Sequence, residues 1–417
     1  MTTRTTALIR TALLCAALFS GKQAFAQQDR TRFVYDINYQ YFFDNREFST
    51  GDDLFTPSRT INASRLTPSL GFSYYQNRST SHSVMAGVDV FKDMGKSPTG
   101  PENTGLNNKD LFQEMTLWYS LTKSSRSGQL NFHAGIFPRR LSVFGAPDSK
   151  ASAIPGRNIP TVHLSDEYRF YDSNIEGILL TRTRRHAYYE VSLDWLGMQG
   201  SGRREQFIIS TYGKGALSRW VSAGWSGTFH HYANSFESIG VVDDNILTPF
   251  VVFDLGRRWF LPLEELSLTT SWIEGVHQDR KRGTGLELSS GGMLSLDVRN
   301  WSIGFHGDFY RGTSQMPYYD DFAPEGTTYG SNLYRGDPFF RPNPCGDSWK
   351  DVGNYARTEV FWQPEIASFL DLKISLTGHF AAGSFQGWRQ IMSLVFDLNP
   401  SRRNPVSSSG TRMVSAL

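Results

Sequence analysis

Apolar and polar side chains alternate along most of this chain from Arg30 onward, and the repeat of an amphipathic helix is nearly absent. Phe33-Val-Tyr35-Asp-Ile37-Asn-Tyr39-Gln-Tyr41 sets the pattern: an apolar row at odd positions, with Asp36, Asn38 and Gln40 between. Successive side chains of a strand point to opposite faces, so a period of two describes a sheet with one apolar and one polar face. Leu130, Phe132, Ala134 and Ile136 alternate likewise with Asn131 and His133. Tyr189, Val191, Leu193 and Trp195 alternate with Glu190, Ser192 and Asp194. Trp301, Ile303, Phe305 and Phe309 alternate with Ser302, His306 and Asp308, and Leu370, Leu372, Ile374 and Leu376 with Asp371, Lys373, Ser375 and Thr377. The pattern predicts an all-β chain of about sixteen strands (range 12–18), at 31–43, 65–76, 82–92, 111–121, 129–137, 174–182, 187–196, 206–213, 218–230, 248–256, 265–276, 285–298, 300–310, 354–363, 369–380 and 387–398.

The predicted connections sort by length. The set 44–64, 93–110, 138–173, 197–205, 231–247, 277–284, 311–353 and 381–386 is long, and the set 77–81, 122–128, 183–186, 214–217, 257–264, 299 and 364–368 is short. A chain that starts on one side of a membrane then places every long connection on the far side. Outer-membrane barrels have this asymmetry, and a soluble sandwich or propeller has no reason for it.

The N-terminus agrees with that placement. Arg4 and Arg10 precede a short apolar run, Thr11 to Phe19, and Ala24-Phe25-Ala26 gives the small-x-small pattern of a cleavage site. Residues 1–26 therefore read as a secretory signal peptide, with an apolar core too short to stay across a bilayer. Cys15 is preceded by Leu14, which disfavours lipidation, and removal of the leader leaves Cys345 with no intrachain disulfide partner. Without Arg4, Arg10 and Lys22 the chain has 39 basic and 40 acidic residues, a balance that gives no argument for nucleic acid. Mean hydropathy is −0.38, which rules out a bundle of membrane helices, and 14% aromatic residues argue against disorder.

Export, alternation and sorted loops meet in one physical requirement. Hydrocarbon offers backbone groups no partners, so a sheet can span a membrane only when closed on itself, apolar face outward. The expected domain plan is a signal peptide at 1–26, a closed antiparallel transmembrane barrel at 27–398 with long extracellular loops and short periplasmic turns, and a disordered periplasmic tail at 399–417. Tyr39, Tyr41, Trp118, Trp195, Trp220, Trp259, Trp272, Trp362 and Trp388 lie toward the ends of the predicted strands, as an interfacial aromatic belt requires.

An exported chain of this size, with about sixteen alternating strands and a long third outer connection, resembles the bacterial porins of the Gram-negative outer membrane. It resembles a Bacteroidota-type outer-membrane barrel equally well. His133-Ala-Gly135-Ile-Phe137-Pro138-Arg139-Arg140 is similar to the glycine-aromatic turn that opens the third loop in substrate-selective porins. The resemblance implies that 138–173 folds inward and narrows a water-filled channel, with outer-membrane lipid and small hydrophilic solutes as partners and a homotrimer as the assembly to test. Candidate constriction residues are Arg139, Arg140, Asp148, Lys150, Arg157, Asp166, Glu167 and Arg169, whose opposite charges could face each other across the pore. Candidate lumen-facing residues are Asp36, Asn38, His133, Glu190, Asp194, His306, Asp308, Arg357, Glu359, Asp371 and Lys373.

Other chemistry is sparse. Gly224-Trp-Ser226-Gly227-Thr228 lacks the spacing of a nucleophile elbow, and Gly213-Lys-Gly215 is too short for a phosphate loop. His306 and Asp308 share one strand face and suggest an alternative, a barrel enzyme acting on lipid or envelope substrates through a serine triad. His230-His231 with Asp243-Asp244 could be thought a metal site, but adjacent strand residues point to opposite faces. In 311–353, Tyr318, Tyr319, Phe322 and Tyr329 beside Asp320, Asp321, Glu325, Asp337 and Asp347 read as a surface cap before a sugar or calcium site. No catalytic, cofactor or metal residues are assigned. A secreted all-β binding protein is the third reading.

Overall fold

The computed structural model describes residues 30–48, 55–94, 112–145, 158–237, 239–256, 263–283, 285–321, 323, 326, 328–344, 346 and 348–399. Among them, strands β1 (Thr31–Phe48), β2 (Arg59–Asn77), β3 (Thr80–Asp93), β4 (Phe112–Ser125), β5 (Gly128–Pro138), β6 (Asn174–Arg184), β7 (Ala187–Gly197) and β8 (Gln206–Ala216) form the first half of one sheet. The second half is β9 (Val221–Tyr232), β10 (Val242–Asp254), β11 (Glu265–Asp279), β12 (Glu287–Asn300), β13 (Ile303–Gly312), β14 (Gly353–Trp362), the three-residue β15 (Glu365–Ala367), β16 (Leu370–Ala381) and β17 (Ser384–Leu398). Each long strand pairs antiparallel with the next. β17 pairs with β1 from Ile37↔Leu398 to Phe48↔Gly387, which closes the sheet. β15 only doubles the turn between β14 and β16, so the wall has sixteen staves. This is a closed antiparallel barrel without a free edge, the arrangement that satisfies every backbone donor and acceptor of a spanning sheet.

The register puts each strand's polar row inside. Along β1, Asp36 and Asn38 are buried while Phe33 and Tyr35 are exposed. Along β16, Lys373, Ser375 and Thr377 face in, and Ile374 and Leu376 are 42% and 48% exposed outside. His133 stands opposite Ser120 on the inner face of β5, and Glu190 and Asp194 are inward on β7. His306, Asp308, Arg357 and Glu359 are cross-strand neighbours on β13 and β14.

Four expectations need correction. Trp118 is 4% exposed and faces inward, where it packs with Met85, Phe137, Ile175 and Leu179 instead of joining an aromatic belt. Trp272 faces outward but sits at the middle of β11, and Trp259 lies outside the described residues. Two strands begin well before their predicted starts, β2 at Arg59 and β10 at Val242, because their ladders continue through mostly polar stretches that lack the apolar outward row. The loop sorting is also imperfect. β16 and β17 are joined by a two-residue turn, Ala382-Gly383, with φ of +50° and +75°, although it lies at the end of the long loops. Two successive left-handed residues are what a tight hairpin turn needs, and Gly383 supplies one at no steric cost. At the opposite end, β10 and β11 are separated by residues 255–264.

The buried apolar clusters lie inside the barrel, at the end away from the termini, where loop residues meet the inner wall. Val143, Phe144, Ile159 and Leu164 pack on Tyr188, Tyr212, Phe250 and Val252. Phe170 and Tyr171 pack on Ile61, Ala63 and Phe91. Val162, Phe339 and Phe340 pack on Ile246, Ile273, Met293, Tyr310 and Tyr355.

Candidate functional site

Two connections fold from the wall into the lumen. After Pro138 closes β5, a single 3-10 turn, Arg139–Leu141, redirects the chain into the lumen, and the described part resumes at Asn158 and runs back to β6. A short helix, Asp166–Tyr171, forms because Ser165 caps it: the Ser165 hydroxyl accepts from the Tyr168 N–H at 3.1 Å. Asp166 and Glu167 occupy its first turn, where carboxylates are favoured by free N–H groups. The other connection, 313–352, clasps the first. The Ser165 N–H donates to the Arg335 carbonyl at 2.9 Å, and the Asp337 N–H donates to the Thr161 carbonyl at 2.8 Å. Gly336 lies between these bonds against Val162; a Cβ there would stand 1.9 Å from the Val162 carbonyl oxygen, so only glycine fits.

The charges on the inward loop are matched to charges on the wall. Arg140 is 2.8 Å from Asp36, and Arg139 is 2.7 Å from Asp194 and 2.9 Å from Asp172. Burial alone would lower these guanidiniums, but the adjacent carboxylates raise both above their ordinary value. Glu167 bonds Arg46 at 2.5 Å and also Arg59. Asp166 is 3.5 Å from Arg169, 3.7 Å from Arg357 and 3.9 Å from Arg389. Burial works to raise both acids; the surrounding guanidiniums outweigh it and hold them below the usual carboxylate range. Around the wall, Asp44 joins Arg46 and Arg389 at 2.8 and 2.7 Å, Arg65 pairs with Asp89, and Glu359 joins Lys373 at 2.9 Å.

His163 is the neutral anchor of the loop. It is buried, with Nδ1 2.9 Å from Thr228 Oγ1, and Nε2 3.0 and 3.2 Å from Ser226 Oγ and Thr248 Oγ1. Burial, reinforced by Arg169, pushes its imidazole down to about 3. Hydroxyls can complement either tautomer, but no carboxylate is among its hydrogen-bond partners.

Between this loop and the wall lies a chamber of about 210 Å³. Asn38, Gln40 and Thr67 border it on one side, and Asp297, His306 and Glu359 on another. Asp371 and Lys373 border it as well. Its lining is not uniformly polar: Phe42, Phe170, Ile391 and Val395 reach it. Asp148, Lys150 and Arg157 lie outside the described residues.

Several sequence-level suggestions resolve differently. His306 Nδ1 is 2.8 Å from Asp297, and Nε2 is 2.9 Å from Asp308. Both nitrogens are engaged by carboxylates, so neither is open to take a proton from a serine, and the suggested triad is not assembled at His306. His231 faces out to Asp243, while His230 faces in to the Leu333 carbonyl, each at 2.7 Å. In the 313–352 connection Asp320 pairs with Arg341 and Asp321 with Arg282, and the Tyr318 hydroxyl bonds Glu287, so these groups hold a cap together.

No protein family and no curated protein matches the chain by sequence. Among solved structures, the chain is similar to a loop-deleted OmpT, an outer membrane protein of Vibrio cholerae, with TM-score 0.50 and 9% identity over 89% of this chain and 100% of that one. OpdL of Pseudomonas aeruginosa gives TM-score 0.46 at 10% identity, covering 88% of this chain and 99% of that one. A variant of the Rh. blastica porin gives 0.43 at 9% identity, covering 88% and 100%. At such identity the likeness is one of fold: like the Vibrio cholerae protein, this chain forms a closed antiparallel barrel.

Proposed function

We propose that the protein is an outer-membrane channel for passive diffusion of small hydrophilic solutes, narrowed by the inward 139–173 loop and its 313–352 clasp. The observation that carries this reading is the chamber: a barrel apolar outside and hydrogen-bonding inside encloses space bordered by Asn38, Thr67, Asp297 and Glu359. A barrel of this strand number is wide enough for water, and its loops then set what passes. Because the described charges of the loop are matched by wall charges, the field across the passage is small, and the channel discriminates weakly by the sign of a solute. The same reading includes cleavage of the 1–26 leader, a periplasmic tail at 399–417, the constriction roles of Arg139, Arg140, Asp166, Glu167 and Arg169, and assembly as a homotrimer, which cross-linking in native membranes would reveal.

Proteoliposome swelling tests it. Small neutral sugars and small ions of either sign should enter at comparable rates, and solutes larger than the chamber should not. Absence of swelling with every solute, in vesicles whose barrel is shown folded by heat-modifiable gel migration, would overturn the reading.

A further inference from the structure

The outer wall between β9 and β13 is not smooth. Ala223, Pro249 and Gly292 floor an apolar hollow whose rim is Trp272, Leu294 and Phe309. Small side chains account for the floor, and the rim residues are all exposed. The β10–β11 ladder passes from Leu247↔Glu274 to Phe250↔Ser271, skipping Thr248 and Pro249, because proline has no N–H to donate. The dent therefore lies where the wall makes fewer cross-strand bonds and carries the least side-chain bulk.

A cation stands over this dent. Arg311 is the register partner of Gly292, two residues nearer the loop end of β13 than Phe309, and shares their outward face. It is exposed, and its guanidinium bonds the neutral side-chain oxygen of Asn354 at 3.1 Å, with no carboxylate paired to it among the described residues. The other charge at this height, Glu274, accepts from the Trp272 indole at 2.9 Å and fixes that ring at the rim. An apolar hollow beneath an unneutralised guanidinium matches an amphiphile with an anionic head and an acyl tail.

We propose that this hollow is a specific site for an outer-leaflet lipid with a net-anionic phosphomonoester head, with its acyl chain over Gly292 and Pro249 and its phosphate on Arg311. Guanidinium–phosphate pairing at the bilayer boundary is bidentate and poorly screened, while the tail gains closer van der Waals contact in the hollow than mobile lipid neighbours give it. The site rests on the outward face contacting lipid, and it is independent of what the lumen conducts.

The test uses the full-length protein in phosphatidylcholine vesicles containing brominated-chain phosphatidic acid or brominated-chain phosphatidylcholine at equal mole fraction. The fluorescence contributed by Trp272, one of ten tryptophans, is isolated by difference from Trp272→Phe. Wild type should show several-fold greater quenching by the brominated phosphatidic acid. Arg311→Gln should make the two lipids equal, and Gly292→Leu should reduce quenching by both. Equal quenching in wild type, or a preference that survives Arg311→Gln, would overturn the site. Absence of Trp272 quenching by either lipid would refute the lipid-facing assignment itself, a failure distinguishable from loss of specificity.

Discussion

His163 shows how one side chain can set the state of a loop. Folding depresses its pKa from the ordinary 6.5 to about 3, so the neutral form is favoured in the docked loop. The stability this contributes is complete above about pH 6.5 and is lost as pH falls from there toward 3. Asp166 and Glu167 behave differently: their depressed values give stability above the ordinary carboxylate range that is lost only at still lower pH. Between pH 6.5 and 5, His163 therefore acts before the carboxylates. Amide hydrogen exchange across 158–165, corrected for intrinsic rates, should accelerate over that interval in wild type and stay flat in His163→Gln. Arg140 offers a second residue-level test. Arg140→Ala leaves Asp36, 5% exposed, without its 2.8 Å counter-ion. The reversal potential in a KCl gradient should move toward cation selectivity; an unchanged potential would place Asp36 away from the ion path. The sequence singles out Arg140 as a constriction candidate, though not its pairing with Asp36; the role of His163 is not legible there. His163 has no motif around it, and its three hydroxyl partners come from β9 and β10, 63 to 85 residues away. Arg65 and Arg389, by contrast, lie inside the predicted strands 65–76 and 387–398 with the inward parity of Thr67 and Ser393, so following the alternation through those strands would have found both.

At the level of elements, the strands are the legible part, because a half-buried strand writes its two faces directly into alternate residues. The loops are not, since their burial depends on partners distant in the chain. Apolar residues of an exposed connection and of an inward one look the same: Phe339 and Phe340 belong to the barrel interior only because 313–352 folds into it. The misplaced starts of β2 and β10 have the same origin, as Arg59 and Asp244 read as loop residues until Glu167 of the inward loop and His277 of β11 supply their partners. The clasp gives the sharpest element-level prediction. Gly336→Val forces 335–337 away from Val162, so single-channel conductance should rise or flicker while heat-modifiable migration is retained. Wild-type currents from that variant would mean the clasp does not limit flow. On the wall, Leu376→Arg places a charge on the lipid face near mid-strand and should cost about 2–4 kcal/mol in a folding titration. Lys373→Ala, one face over, should leave stability closer to wild type and alter ion selectivity by releasing Glu359.

Taken whole, the molecule is a cylinder inverted relative to a soluble protein: hydrogen-bonding groups and ion pairs fill the middle, and Phe72, Leu117, Trp272 and Val360 coat the exterior. That inversion was readable from alternation alone, because each face has one solvent along the whole strand. What alternation could not convey is how far the interior is occupied, or that its charges are paired and accompanied by apolar clusters. The central claim is that the paired, loop-narrowed interior still conducts. Single-channel recording of the purified protein in a planar bilayer tests it most directly. Small stepwise currents with a reversal potential near zero in a salt gradient are expected, and a folded, inserted barrel that never passes current would contradict the account.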